Sequence, residues 1–492
     1  MSSLKTLSPV IAIFSLLFSN SWIGQWQRRW PERLRQLKPG KAPSLKGSPK
    51  KKNKKPHGGH FYRRIFSLRV TLWYLIFQRL GFDQTQTAVM ADVRAGGADQ
   101  LGRAGRKKIS SRVKSVQASA YNQARQRMPL EFLQEALAHL RQKFLLRVGV
   151  DPQAKRKPKA AQRSRQLLDG STIAVLRTPR LAARYSVASN STGQSDWCLM
   201  RIVVGFCARS GAILSAIEGA VTQSEQALSW KLMEKAAAFT IWIGDRNFGV
   251  WSVVAQAVRY QQDVVVRMTN ARANKLCKGR PMVSGEDRRV EWSPSRSDQS
   301  AAGTAREAVS GRLIYIYFCR NGTWIHLYLF TTLDALEYPI ELLLKWYGQR
   351  WQAELNFRSV KTQLKMEELH VTTPRMARKE FYAGLIAYSL VRAVLWEAGD
   401  RLEEKVKTLS FSQARRVLID RLQEWGRKSR SGARGAARWV RALLEEVLLH
   451  TLPKRKKPRP NEVRRVRRRA QKFPPLRGSR AASRSASMAK LS

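Results

Sequence analysis

From Leu167 to Thr269 the chain alternates between two periodicities in an order that few folds accommodate. Three strand-like runs come first: Leu167 to Val175, Trp197 to Phe206 and Ala212 to Gly219, the last two joined by an Ala208-Arg209-Ser210-Gly211 turn. Thr222 to Phe239 then carries helical spacing, with Ser224 as its N-cap, and Thr240 to Ile243 reads as a fourth strand. A helix from Asn247 to about Tyr260 and a strand from Asp263 to Thr269 complete a β-β-β-α-β-α-β series. Apolar strands in that order are buried only if helices cover the sheet, so the expectation is an α/β fold with a leading antiparallel meander.

A second constraint lies downstream, in a run with no proline between Pro339 and Pro374. Tyr347, Arg350, Glu354 and Lys361 stand there at spacings that suit one helix face. At about 100° per residue they project within an arc of about 60°, with about 21 Å between the first and the last. Trp346, Ala353, Phe357, Val360 and Leu364 flank the stripe on one side, and Leu344, Trp351, Leu355 and Met366 on the other. Lys345, Gln352, Asn356, Ser359 and Gln363 form the side expected to face water. The charged stripe therefore sits inside the apolar arc. Burial there is costly unless a metal, a phosphate or an opposite charge meets it, which points to a functional cleft rather than a solvated face.

Composition indicates the partner. The 492 residues hold 91 Lys+Arg against 35 Asp+Glu, a formal net charge of +56. Such a field favours polyanions through neutralised phosphates and released counterions, with nucleic acid ahead of an anionic membrane. With 43% hydrophobic residues and 15 Trp, the chain holds enough apolar mass for two or more packed domains, unlike a disordered basic tail. Cys198, Cys207, Cys277 and Cys319 lack paired close spacing and the six histidines are scattered, so free thiols in a reducing cytoplasm are expected rather than a zinc site or a disulfide framework.

Charge runs and helix breakers suggest the domain boundaries. Residues 1–60 combine an apolar segment and a basic linker. Lys5 followed by the run Val10 to Phe18 resembles a short signal peptide, but Trp22, Trp26 and Trp30 follow among arginines, which favours a docked amphipathic helix or an upstream start-site extension. Residues 61–150 read as a helical DNA-binding domain or a helical cap, with an apolar stretch around Leu72 to Leu80 and helical spacing from Pro129 to Leu146. A second basic linker runs from Asp151 to Arg165. The catalytic core is expected over 166–274 and 331–400, with a β-rich insertion over 275–330 that includes a hairpin of Leu313 to Phe318 and Trp324 to Phe330 around Arg320-Asn321-Gly322. A helical region over 401–450 precedes a basic tail, 451–492, suited to gripping phosphate without reading sequence.

Two carboxylates stand out on this frame. Asp169 lies on the first strand, where the alternative is an Asp-Gly turn, and Asp245 ends the fourth, where the alternative is a helix N-cap. If the first and fourth strands are neighbours the two acids meet, and the helix bearing Glu354 delivers a third. Three oxygen-rich acids in a basic protein suit two hard cations about 3.5 to 4 Å apart, the arrangement used in phosphoryl transfer.

The string Trp346-Tyr347-Gly348-Gln349-Arg350-Trp351-Gln352-Ala353-Glu354 with Phe357 and Lys361, together with Asp169-Gly170-Ser171-Thr172 and Gly244-Asp245-Arg246, resembles the insertion sequence 4 family of bacterial DDE transposases. The family's tyrosine, arginine, glutamate and lysine signature is complete here, and the likeness extends from about Phe61 to the arginine-rich tail, with residues 1–60 having no counterpart. The resemblance implies a ribonuclease-H-like mixed sheet flanked by helices and interrupted by the β-rich insertion. It implies Asp169, Asp245 and Glu354 as the catalytic metal-binding triad for Mg²⁺, with Mn²⁺ as substitute. It also implies Tyr347, Arg350 and Lys361 as contacts to transposon-end phosphates, with Arg246 either beside them on DNA or in a structural ion pair. The implied partners are double-stranded DNA, as transposon ends and target, and a second copy of the chain in a synaptic complex. No membrane role is implied, and the implied place of action is the bacterial cytoplasm, at the nucleoid. Some relatives hold a flipped base on a tryptophan, for which Trp292 and Trp324 are the candidates and a core role the simpler reading. The alternatives to an active cut-and-paste enzyme are a catalytically silent DNA-binding relic or repressor, and a nuclease that cuts without joining.

Overall fold

The computed structural model describes residues 22–29, 65–81, 83–101, 107–190, 193–295, 298, 307–320, 323–427, 433–453, 479, 481 and 485. The apolar run Val10 to Phe18, the linker 38–60, the Asn321-Gly322 turn and the arginines and lysines of 454–469 lie outside them. The chain divides into two units, Met1–Val148 with Lys379–Leu452 and Gly149–Arg378 with Pro453–Ser492.

The first unit is helical among its described residues. Ser67 and Thr85 cap Leu68–Leu80 and Gln86–Arg94 by accepting from the N–H groups of Val70 and Ala88. Pro129 opens Leu130–Arg147, whose buried Leu133, Leu140 and Phe144 follow the helical spacing of the sequence. A short helix at 22–29 docks here, with Trp22 and Trp26 against Phe132 at ring-centroid distances of 5.3 and 4.9 Å. The buried Glu380 carboxylate takes Arg79 at 2.8 Å and also Arg125, while Lys379 Nζ donates to the carbonyls of Arg125 and Gln126 at 2.8 Å each. Helix Pro374–Ala398 is apolar and long enough to cross a membrane, but 89% of its most apolar window is buried in the protein, as in a core helix.

The second unit is built on a mixed ten-stranded sheet. Its elements in chain order are β1 (Arg165–Leu176), α1 (Pro179–Tyr185), β2 (Val187–Asn190), β3 (Gly193–Cys207), β4 (Ile213–Ala220), α2 (Glu225–Met233), β5 (Ile241–Gly244), α3 (Trp251–Arg259), β6 (Asp263–Met268) and α4 (Asn270–Leu276). β7 (Asp287–Trp292), β8 (Val309–Arg320), β9 (Thr323–Thr331), α5 (Ile340–Gly348), α6 (Trp351–Arg358), a π-helical turn (Ser359–Gln363) and β10 (Glu368–Leu369) follow. The expected β-β-β-α-β-α-β series is present, and Ser224 caps α2 by accepting from Ala227 N–H. Sequence reading passed over α1, which starts at an ordinary Thr178-Pro179 cap, and the four-residue strand β2. The three strands of the insertion extend the same sheet, because β9 pairs antiparallel with β6.

One feature of the pairing positions everything else. β1 lies antiparallel to β3 along nearly its whole length, but its other edge is shared. β5 pairs with it in parallel only as far as Leu168 opposite Gly244, and β10 begins only at Ala174. Among the described residues, no strand lies beside that edge from Asp169 to Ile173.

The helix expected between Pro339 and Pro374 stays in right-handed helical dihedrals through the junction but is not regular. At Gln349 to Ala353 its hydrogen bonds tighten to a three-residue span, separating α5 from α6, and the π-helical turn then widens it. These deviations change the expected faces. Trp346, Ala353, Phe357, Val360 and Leu364 are buried as expected. Asn356 and Ser359, assigned to the water-facing side, are buried, and Trp351, assigned to an apolar flank, is 46% exposed. Each irregular turn rotates the wheel away from 100° per residue, so polar positions swing inward.

Arg163, with a fully buried side chain, ties this unit together just before β1. It donates to Phe239 O at 2.8 Å and Tyr338 Oη at 3.2 Å, and pairs with Asp263 at the start of β6. Arg163→Met leaves those acceptors without their donor. We expect a loss of about 3 kcal/mol of stability, read as a lowered denaturant midpoint of the unit's unfolding.

Candidate active site

Because Leu168 lies opposite Gly244, the next residue on each strand, Asp169 and Asp245, leaves the parallel pair β1/β5 side by side. Side chains alternate along a strand. Leu168 and Trp242 pack in the core formed with α2 and α3, whereas Phe206, opposite Leu167, meets Phe357 of α6 at 5.1 Å. Asp169 and Asp245 therefore share the face covered by α6, the helix that carries Glu354.

Neither aspartate takes the simpler role open to it. Asp169 and Gly170 stay in ladder register with Val204 and Val203, so no turn forms, and Gly170 N–H donates to Asp169 Oδ1 at 2.9 Å. Asp245 Oδ1 accepts from Asn247 N–H at 2.9 Å in a side-chain-closed turn, while α3 starts only after Val250.

Burial pushes the Asp169 carboxyl up to about 7; Gly170 N–H opposes this, Asp245 adds to it, Arg350 opposes it and Glu354 adds to it. Asp169 thus feels both other acids. Glu354 itself is half exposed and bonded to Arg350 at 2.6 Å. Among the described residues no three His, Cys, Asp or Glu side chains converge closely enough to hold a metal ion. The donor chemistry nevertheless fits a hard divalent cation: two aspartates crowd one strand edge, and a third carboxylate is turned aside to an arginine on its own helix.

Lys361 and Tyr347, two more residues of the stripe, lie near the open edge of β1 and near Asp245 respectively. Lys361 Nζ reaches Ser171 Oγ at 3.4 Å, on the open stretch of β1, and burial lowers its pKa. Burial raises the pKa of Tyr347, against the opposing effects of Arg350 and of Arg267, which is hydrogen-bonded to it. Arg246 is exposed and makes no ion pair among the described residues; its carbonyl accepts from Arg272 at 3.2 Å. Trp292 is buried edge-on against Phe330, a core role, whereas Trp324 is 60% exposed and stacked on Tyr317 at 4.7 Å.

Sequence reading missed two groups. Arg267 interrupts the valines of β6, a signal that was available. Glu225 begins α2, where a carboxylate is common because it suits the helix dipole, so nothing in the sequence set it apart. It accepts from Asn247 Nδ2 at 2.7 Å, just beyond Asp245.

Residues 160–390 match a family described as the transposase DDE domain. The chain is similar to the transposase InsG for insertion sequence element IS4 of Escherichia coli (strain K12), 23% identical over 246 residues, which make up 48% of this chain and 53% of that protein. It thus spans about half the length of the curated relative it matches. Both findings bear out the resemblance to the insertion sequence 4 family of DDE transposases.

The raised Asp169 pKa has a signed consequence for stability. Between the ordinary value of 3.8 and about 7 the folded chain binds more protons at Asp169 than the unfolded chain, so stability falls as pH rises through that window. In EDTA, the melting temperature of Asp169→Asn should decline less steeply between pH 4 and about 7 than that of the wild type.

Proposed function

We propose that this chain is a DDE transposase that binds the ends of an insertion sequence, hydrolyses the phosphodiester there and joins the freed 3′-hydroxyl to target DNA, a reading supported by its similarity to the transposase DDE domain. The observation that carries the reading is the placement of Asp169 and Asp245 on adjacent parallel strands at an open strand edge, under the helix that bears Glu354. The mixed sheet with helices on both faces supports a ribonuclease-H-like core. Asp169, Asp245 and Glu354 would hold Mg²⁺, or Mn²⁺ in its place. When bound there, a pair of such ions activates the attacking oxygen and stabilises the leaving one.

The chain's own side chains divide the remaining work. Arg350 and Lys361 supply charge to the phosphates flanking the scissile bond, and Tyr347, held by Arg267, braces the same stretch of backbone. Arg350 has a second role in this reading. A DNA phosphate that takes its guanidinium competes with Glu354 for it, so end binding releases the third carboxylate towards Asp169. Exposed Arg246 extends the phosphate track. Exposed Trp324, rather than Trp292, offers an aromatic face to a base. The helical unit containing residues 65–148 is assigned to end recognition and the basic tail to non-specific grip on DNA, in keeping with the net charge of +56. Two ends must be cut and joined in one complex, which calls for a homodimer.

The test is strand cleavage of a labelled duplex carrying the DNA that flanks this gene, with Mg²⁺ or EDTA. Wild type should cut at defined ends only with metal. Glu354→Gln should lower that rate by about a thousandfold or more, as loss of a metal ligand removes several kcal/mol of charge stabilisation, while retaining end binding. Cutting by Glu354→Gln at the wild-type rate contradicts the triad. Lys361→Ala should instead weaken binding and reduce the log-log salt dependence by about one unit, measured by titration across salt concentrations.

A further inference from the structure

Glu225 is a carboxylate beside the site that the chemistry above leaves unused. It lies at the first turn of α2, and its contacts run in a chain towards Asp245. Glu225 Oε2 accepts from Asn247 Nδ2 at 2.7 Å. Asn247 is gripped a second time by Gln226 Nε2, which donates to its Oδ1 at 2.8 Å and its backbone O at 3.0 Å. The backbone N–H of Asn247 in turn donates to Asp245 Oδ1 at 2.9 Å. The side chain of Asn247 is thus fixed from α2 while its backbone holds the carboxylate of Asp245.

Gly170 makes room for this. A Cβ there would lie 2.2 Å from Glu225 Cδ and 2.5 Å from each carboxylate oxygen. Its backbone is not in the left-handed region, so conformational freedom does not account for the glycine; the close approach of Glu225 does. Because neighbouring residues on a strand face opposite ways, Gly170 opens the α2 side of β1 while Asp169 points to the α6 side. Glu225 therefore reaches the turn from the α2 face of the sheet, opposite the face to which Asp169 points, and is close enough to feel the charge of Asp245.

We propose that Glu225 is a positioning residue that, through Asn247, fixes the turn aiming Asp245 at the metal position, and that residue 170 is glycine to admit it. The inference rests on the triad reading of Asp169, Asp245 and Glu354. Outer-sphere partners of this kind typically change metal affinity by about 10- to 100-fold when removed.

The experiment is calorimetric titration of Mn²⁺, without DNA, into the full-length chain and its Glu225→Ala, Glu225→Gln, Gly170→Ala and Asp169→Asn variants, each first melted in EDTA. Glu225→Ala should weaken Mn²⁺ binding by about tenfold or more. Gly170→Ala should do the same while melting near the wild type, since its methyl displaces only the end of a flexible side chain. Glu225→Gln retains an oxygen that accepts from Asn247 and should bind Mn²⁺ close to the wild-type affinity. Wild-type affinity in Gly170→Ala or Glu225→Ala overturns the proposal, as does a Glu225→Gln variant as weak as Glu225→Ala. Should Glu225→Ala fail to fold, the glycine and glutamine variants decide alone. Undiminished binding by Asp169→Asn is a different failure, which removes the triad reading and the inference with it.

Discussion

The site depends on where β5 stops. Four residues long, it supports β1 only to Leu168, and β10 takes up the same edge only at Ala174. Between them β1 continues, held from the other side by β3, so the open stretch keeps its strand register although, among the described residues, one edge is unpaired. Beyond the carboxyl ends of parallel strands is where open α/β sheets characteristically bind ligands. Here that position receives two aspartates at once, and α6 covers it with Phe357 as the packing anchor.

Burial and like charge then create a demand for cations. The Asp169 carboxyl is pushed up to about 7 because it is desolvated and shares its surroundings with Asp245 and Glu354. Arg350 meets part of the demand through Glu354, and Lys361 and Arg267 stand nearby without closing on the aspartates. Carboxylates short of positive charge thus lie beside half-buried cations suited to phosphate. On the proposed reading, a substrate that brings phosphates, together with divalent ions, would balance both sets.

Much of this was legible in the sequence, for physical reasons that can be named. Strand and helix periodicity survives burial, so the order of elements and the spacing from Tyr347 to Lys361 could be read directly. The neighbouring of Asp169 and Asp245 was a conditional reading, because it needs β1 and β5 to pair in one register and periodicity says nothing about pairing. The irregular turns at Gln349 and Ser359 were hidden, since Gly348 is the only local breaker and an ideal wheel assumes none; Asn356, Ser359 and Trp351 were misplaced as a result. Glu225 was invisible for a further reason. Its meaning comes from Gly170 on one strand and Asn247 after another, and its own neighbours in sequence describe only an ordinary helix start.

The most direct test of the central claim, that Asp169, Asp245 and Glu354 together hold the divalent ions, is to map where those ions bind on the polypeptide. Fe²⁺ substituted for Mg²⁺ generates hydroxyl radicals with ascorbate and peroxide, and these cut the backbone close to the bound ion. On end DNA, the account predicts cuts clustered next to Asp169, Asp245 and Glu354, suppressed by excess Mg²⁺. Cuts that cluster elsewhere, or that persist unchanged in Asp169→Asn, would contradict it.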